Sequence, residues 1–304
     1  MPRSYRYLHY DVFTSALFGG NQLAVFLDGR GLSTVDMQAI AKEMNFSEST
    51  FILPPEREDT DMRVRIFTPG EELPMAGHPT IGTAFALARA GVLAPARPRV
   101  VFGLGVGPTP VDLTWRDADL AFAWMTQLRP TFGPPLDMRP LAAAALSLPA
   151  EAIRSTLPVQ IVSCGVPYLL VPLATRAQVD AARLDLSAYE RLGSESGLGT
   201  IAIYLFTTER VGTDEAAVYS RMFAPSIGIG EDPATGSAAG PLGCYLVAHA
   251  VLAGANAATI RNLQGVKMGR PSIIHMAIAS DAGTITQVRV GGEAVLAGEG
   301  TLYV

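Results

Sequence analysis

"RIFTPGEELPMAGHPTIGTA", residues 65–84, and "RMFAPSIGIGEDPATGSAAG", residues 221–240, are two versions of one pattern. Arg65-Ile66-Phe67-Thr68-Pro69 recurs as Arg221-Met222-Phe223-Ala224-Pro225. In each copy an apolar strand end passes into a loop, and small residues then open an apolar run. Thr80–Leu93 and Gly236–Leu252 are apolar on nearly all sides, which predicts one helix buried all round in each half. Upstream, each copy follows a pair of apolar strands around a glycine turn. Tyr5–Phe13 and Leu23–Leu27 flank Gly19-Gly20-Asn21, and Gln160–Ser163 and Tyr168–Val171 flank Cys164-Gly165. A shared order of elements around both copies marks an internal repeat. The expected fold is α+β, with two pseudo-symmetric lobes that each wrap a sheet around one central helix. Proline and glycine accumulate over Leu128–Pro140, which sets the expected lobes at 1–128 and 129–295, with the last strand, about 296–304, assigned to the first lobe. Two such lobes would turn their helix starts towards one another across a cleft, the usual home of small-molecule sites.

The remaining elements read in the same way. Ser33 or Thr34 can cap a helix to about Met44, with Val35, Ile40, Ala41 and Met44 on one face. Phe51–Leu53, Met62–Phe67, Thr200–Phe206 and Ala217–Phe223 read as strands, and Leu141–Ile153 as a helix. The chain has 304 residues, 49% of them hydrophobic and 17% charged, enough apolar surface for a large core. A net charge of −5 without any basic run gives no reason to expect nucleic acid. The opening stretch MPRSYRYLHYDVF reads as a strand and lacks an apolar signal core. Gly243–Leu252 is too short to span a bilayer, so no membrane partner is expected. Two cysteines exclude a disulfide framework and suit a reduced compartment. The expectation is a soluble, cytoplasmic protein.

The candidate chemistry sits at the two helix starts. Met75-Ala76-Gly77-His78-Pro79-Thr80 opens the first helix and Glu231-Asp232-Pro233-Ala234-Thr235-Gly236-Ser237 the second. Unpaired N–H groups and the helix dipole attract a carboxylate or phosphate there, and Gly77 and Gly236 let it approach the backbone. The same residues also have plainer readings. Asp232-Pro233 is an ordinary way to cap and start a helix. His78 can equally be a cap or a core histidine, and Ser237 a small helix residue. By pattern alone Glu48 is one acid among 28 and an exposed one. Four scattered histidines and two distant cysteines show no metal-ligand spacing, and no dinucleotide fingerprint, Walker loop or nucleophile elbow occurs. Cys244 follows Ser237 by seven residues, about 10 Å deeper along the helix, and is expected in the core. Cys164 is expected to pack as well.

"DVFTSALFGGNQLAVF" (11–26), "NFSESTF" (45–51), the two repeat segments and "QGVKMGRPS" (264–272) together resemble the PhzF family of phenazine biosynthesis. The resemblance implies the diaminopimelate-epimerase-like fold, two pseudo-symmetric lobes that are each a curved sheet or open barrel around a buried helix. It also implies that Glu48 is the general acid/base, with His78, Asp232 and Ser237 as the remaining catalytic positions. Ser49 stands where threonine is common and leaves Glu48 in place. Gly77, Gly236, Asn21 and Thr235 complete the implied substrate-binding set. The implied activity is the cofactor-independent isomerisation of trans-2,3-dihydro-3-hydroxyanthranilate, without a metal, in a homodimer whose sites each lie within one chain. Related epimerases carry a cysteine at each helix start; Gly77 and Asp232 here argue against two-thiol racemisation. Two other readings stay open: a racemase or other proton-transfer enzyme acting on a different small carboxylate, and a non-catalytic ligand-binding or scaffold protein. The scaffold reading predicts loss of the acid–base set, yet Glu48, His78, Asp232 and Ser237 are all present.

Overall fold

A computed structural model describes residues 3–211, 216–252 and 259–304; residues 1 and 2 of the opening stretch lie outside these. The first half contains β1 (Ser4–Val12), β2 (Asn21–Phe26), α1 (Thr34–Met44), β3 (Glu48–Leu53), β4 (Met62–Phe67) and β5 (Glu72–Leu73). It continues with α2 (Gly77–Arg89), β6 (Arg99–Leu104), β7 (Gly107–Arg116), β8 (Asp119–Gln127) and β9 (Thr131–Leu136). The second half contains α3 (Arg139–Ala145), β10 (Val159–Ser163), β11 (Pro167–Pro172), α4 (Arg176–Ala181), α5 (Leu186–Ser196), β12 (Ile203–Thr207), β13 (Val218–Ala224) and β14 (Ile229–Asp232). It ends with α6 (Gly236–Ala248), β15 (Ile260–Gln264), β16 (Ser272–Asp281), β17 (Thr284–Gly292) and β18 (Ala294–Tyr303).

The strand pairings repeat as the sequence does. β1 runs antiparallel to β2, β2 parallel to β3, β3 antiparallel to β4, and β4 parallel to β6, followed by the antiparallel β6–β7–β8 meander. β10, β11, β12, β13, β15, β16 and β17 repeat these relations one for one. A parallel pair needs a crossover, which a helix usually supplies. α1 connects β2 to β3 and α2 connects β4 to β6; α4 with α5, and then α6, do the same in the second half. The halves are interlocked: β8 pairs with β17, β9 with β10 and β18 with β1. Among the described residues, all eighteen strands therefore belong to one hydrogen-bonded sheet.

The Arg-x-Phe motif has the same physical role in both halves. Arg65 reaches Glu72 with two nitrogens and lies 5.0 Å from the Phe67 ring. Arg221 does the same to Glu231 and lies 4.9 Å from the Phe223 ring. Each arginine thus ties the end of its long strand to the short strand leading into the buried helix. Every residue from Gly77 to Leu87 and from Gly236 to Leu246 is buried, and one core cluster encloses both helices. Each fully buried leucine or phenylalanine contributes about 1.5–3 kcal/mol to holding them there.

Some local expectations need correction. Val35 is 77% exposed, and the buried face of α1 is Met37, Ile40 and Ala41. Ser33 caps that helix in a reciprocal box with Asp36. The helix expected over Leu141–Ile153 stops at Ala145, and Ala150–Ala152 forms a separate 3-10 turn. Ser147 has φ 55°, and Pro149 has no N–H to continue the ladder. α2 starts three residues before Thr80 and ends at Arg89, and α6 ends at Ala248. No helix among the described residues is long and apolar enough to cross a membrane.

Candidate active site

The two buried helices meet start to start. A Cβ on Gly77 would lie 2.5 Å from the Gly236 Cα, and one on Gly236 would lie 3.0 Å from the Gly77 Cα. Glycine is required at both places because the backbones approach so closely. Ala76 and Thr235 occupy the cap positions, and neither gives the helix a side-chain cap bond. Two sets of first-turn N–H groups and two positive dipole ends therefore converge on one point, which attracts an anion.

Asp232-Pro233 does not begin α6, contrary to the capping reading. Asp232 ends β14, and the helix starts at Gly236. The Asp232 carboxylate is already occupied, accepting from Asn21 Nδ2 at 2.8 Å and from Thr235 Oγ1 at 2.5 Å. Gln264 fixes the intervening turn by donating to the Asp232 carbonyl at 2.8 Å and accepting from the Thr235 N–H at 3.1 Å. Asn21, at the start of β2, also donates to the Ala234 carbonyl at 3.1 Å and lies 3.1 Å from His78 Nδ1. One carboxamide from the first half thus bonds the second at Asp232 and Ala234 and lies against His78. Arg270 holds the turn before Asn21 through the Gly19 and Gly20 carbonyls and Asp11, which gives the "GRPS" segment its role.

Glu48 is the first residue of β3 and is buried, not exposed as pattern alone suggested. Its Oε2 lies 3.3 Å from His78 Nε2, and neither atom has another hydrogen-bond partner. Burial, reinforced by nearby Asp232, raises the Glu48 pKa well above the ordinary carboxylate range. Burial pushes His78 down to about 3, against a backbone hydrogen bond to Gln22, so its ring is neutral near pH 7. Asp232 is also raised by burial, while hydrogen bonds from Thr235, Asn21 and Ser47 oppose the shift. The result is a carboxyl biased towards its protonated form, facing a neutral imidazole and beside a second carboxyl locked in place.

Ser237 follows Gly236 in the first turn of α6, and its Oγ lies 2.6 Å from the Tyr168 hydroxyl. Tyr168 comes from β11, and burial raises its phenol so that it stays protonated. A cavity of about 290 Å³ unites Glu48, His78, Asp232, Ser237, Gly77, Gly236 and Thr235 with Tyr168. Leu73, Pro74, Met75, Val166, Ile201 and Ile227 form apolar walls. Among the described residues lining it, Glu48, Glu71 and Asp232 are the acids, and there is no lysine or arginine. Asn21 is not part of this lining and stands behind it, against Asp232 and His78. Cys164 and Cys244 are buried 3.8 Å apart, outside the lining of this cavity. Among the described residues no cluster of three or more histidine, cysteine or acidic side chains is placed to hold a metal.

Sequence reasoning passed over Tyr168 and Gln264. Tyr168 follows the Cys164-Gly165 turn, but its counterpart in the repeat is Leu23, an apolar core residue, so the repeat gave no signal for a functional group there. Gln264 opens the "QGVKMGRPS" segment, but its contacts with Asp232 and Thr235 are 32 and 29 residues away in sequence and carry no spacing signal.

The sequence model of the phenazine biosynthesis-like proteins, PhzC-PhzF, matches residues 10–300. The chain belongs to the PhzF family. An uncharacterized isomerase of Mesorhizobium japonicum is 39% identical over 98% of both chains. The trans-2,3-dihydro-3-hydroxyanthranilate isomerase of Pseudomonas chlororaphis is 36% identical, covering 98% of this chain and 99% of its own. A crystal structure of a Bacillus anthracis PhzF-family protein superimposes with a TM-score of 0.87, at 25% identity, over 99% of this chain and 100% of the other. The diaminopimelate-epimerase-like α+β architecture is thus this PhzF-family protein's own, and isomerase is its enzyme class.

Proposed function

We propose that this PhzF-family isomerase moves a proton between carbons of a small cyclic amino-carboxylate, of the trans-2,3-dihydro-3-hydroxyanthranilate type, without a cofactor. The observation that carries the reading is Glu48, buried and raised in pKa, facing a neutral His78 at 3.3 Å beside two converging helix starts. The substrate carboxylate sits at the first-turn N–H groups of α2 and α6, with the Ser237 hydroxyl. Glu48 in its ionised form takes a proton from one ring carbon and, now the acid, returns it to another. The atoms balance, since the ring gives one proton to Glu48 and receives one back from it, with exchange against water while Glu48 holds it, and the conjugated amine and diene spread the charge between the two steps. A raised pKa makes Glu48 a stronger base and keeps its acid form accessible near neutrality. His78 and Asp232 orient the ring and hold the protonation pattern.

The test is a panel of small cyclic amino-carboxylates, including trans-2,3-dihydro-3-hydroxyanthranilate, followed by NMR in deuterated water. Deuterium entering ring C–H positions, with isomer formation, is the expected result. Isomerisation distinguishes this reading from epimerisation, in which label enters and only configuration changes. No exchange and no turnover of any member would defeat the reading.

Tyr168 has a measurable part in it. Tyr168 and Ser237 have two hydroxyl hydrogens between them, and their mutual bond uses one, leaving one for the ligand. Tyr168→Phe is expected to raise KM about five- to tenfold with a smaller change in kcat, about 1 kcal/mol of lost hydrogen bonding. Steady-state kinetics check the split. We further propose the homodimer implied by the resemblance, which light scattering on the eluting protein will decide.

A further inference from the structure

A second cavity, of about 100 Å³, adjoins the reaction cavity. Val106, Pro108, Pro110, Met125 and Leu128 supply its apolar surface, from the β6–β7 hairpin and the end of β8. Met75 lines both cavities. The turn after β10 is shared between them, with Gly165 on the reaction side and Cys164 on the other. Met75 packs against this turn: a Cβ at position 165 would lie 2.9 Å from Met75 Cε and 3.8 Å from a Leu128 methyl, and Gly165 has φ +124°. A side chain at 165 is thus disfavoured by conformation, whereas the Met75 methyl it would meet is the movable end of a flexible side chain. The partition consists of a glycine turn and an unbranched thioether with three rotatable side-chain bonds, the side chain best able to repack around an intruding group. No charged residue lines the second cavity.

We propose that the second cavity is an apolar extension of the substrate site, gated by Met75, that accepts a short alkyl or aryl substituent of the ligand. With the carboxylate at the helix starts, two residues along the chain from Met75, a substituent directed at Met75 passes through the gate into the space beneath the hairpin. The inference rests on the reading of the reaction cavity as a carboxylate site.

The test uses 2-aminobenzoate and its 4-propyl and 5-propyl derivatives, whose own fluorescence reports binding to the full chain. In Met75→Ala, the ratio of affinity for the better propyl derivative to that for 2-aminobenzoate should rise about tenfold over wild type, the worth of two buried methylenes. Adding Val106→Phe, which fills the second cavity, should restore the wild-type ratio. Met75→Val carries the same prediction if the alanine variant folds poorly. An unchanged ratio, or a gain that survives Val106→Phe, overturns the gate. n-Propylbenzene, which has no carboxylate, is titrated in parallel against the Met125 methyl signal. If no aminobenzoate binds wild type, the carboxylate reading fails, and the propylbenzene titration then decides the subsite alone. A saturable shift abolished by Val106→Phe supports the subsite, and its absence overturns it.

Discussion

Glu48→Gln is expected to lower kcat about 100- to 10,000-fold on any substrate the protein isomerises, the usual contribution of a positioned general acid/base. The amide keeps the shape of the carboxyl and removes only its ability to exchange a proton, so the fold should survive. The same variant has a second, independent signature in stability. The pKa of Glu48 is higher in the folded protein than its unfolded value of 4.5, because burial and Asp232 disfavour its charge. Between these two values the folded state holds a proton that the unfolded state has released. Stability is therefore full below the unfolded value and falls as pH rises through the folded one. Glutamine cannot ionise, so Glu48→Gln should melt above wild type at pH 8 and lose that advantage towards pH 4. Thermal melts across that range, with single-turnover kinetics, check both halves. Wild-type turnover in a folded Glu48→Gln protein would remove Glu48 from the mechanism, and equal melting at pH 8 would mean its burial costs nothing.

The outline of the fold was legible because its signal is local and occurs twice. Arg65-Ile66-Phe67 and Arg221-Met222-Phe223 each contain, within three residues, a clamp and the ring it covers. The all-round apolar runs similarly announced α2 and α6. The site was legible only in pieces. His78 and Gly77 stand out at a helix start, but nothing near Glu48 in sequence says that it faces His78, 30 residues away. Asp232 shows the limit most sharply. Acid followed by proline is a sound capping signal, and it misplaced the helix start because Asn21, 211 residues away in sequence, takes up the carboxylate. Local propensity lost to a tertiary hydrogen bond there. Only the family resemblance marked Glu48, through "SESTF".

Gly77→Ala adds one methyl group and is expected to cost more than any other single-carbon change in the site. The new Cβ would lie 2.5 Å from the Gly236 Cα and carbonyl carbon and 2.7 Å from the Ser237 nitrogen. All three are backbone atoms of the first turn of α6, so no rotamer change relieves the contact, and the two helix starts must move apart. Overpacking of this kind costs about 1–3 kcal/mol, and each kilocalorie lowers Tm by about 1.5–2 °C in a chain of 304 residues. The functional loss should be larger in proportion. Restoring ordinary van der Waals separation needs a shift of about 1 Å, and a misplacement of that size can cost about 100-fold in rate. Gly230→Ala is the control, in the segment leading to α6, because a Cβ there meets nothing within 4 Å and the backbone has no positive φ. The expected result is a loss of about 100-fold in kcat/KM with a lowered Tm for Gly77→Ala, against near-wild-type behaviour for Gly230→Ala. If Gly77→Ala instead lowered Tm but left kcat/KM intact, the converging helix starts would be a packing device alone, and the carboxylate would have to bind elsewhere in the cavity.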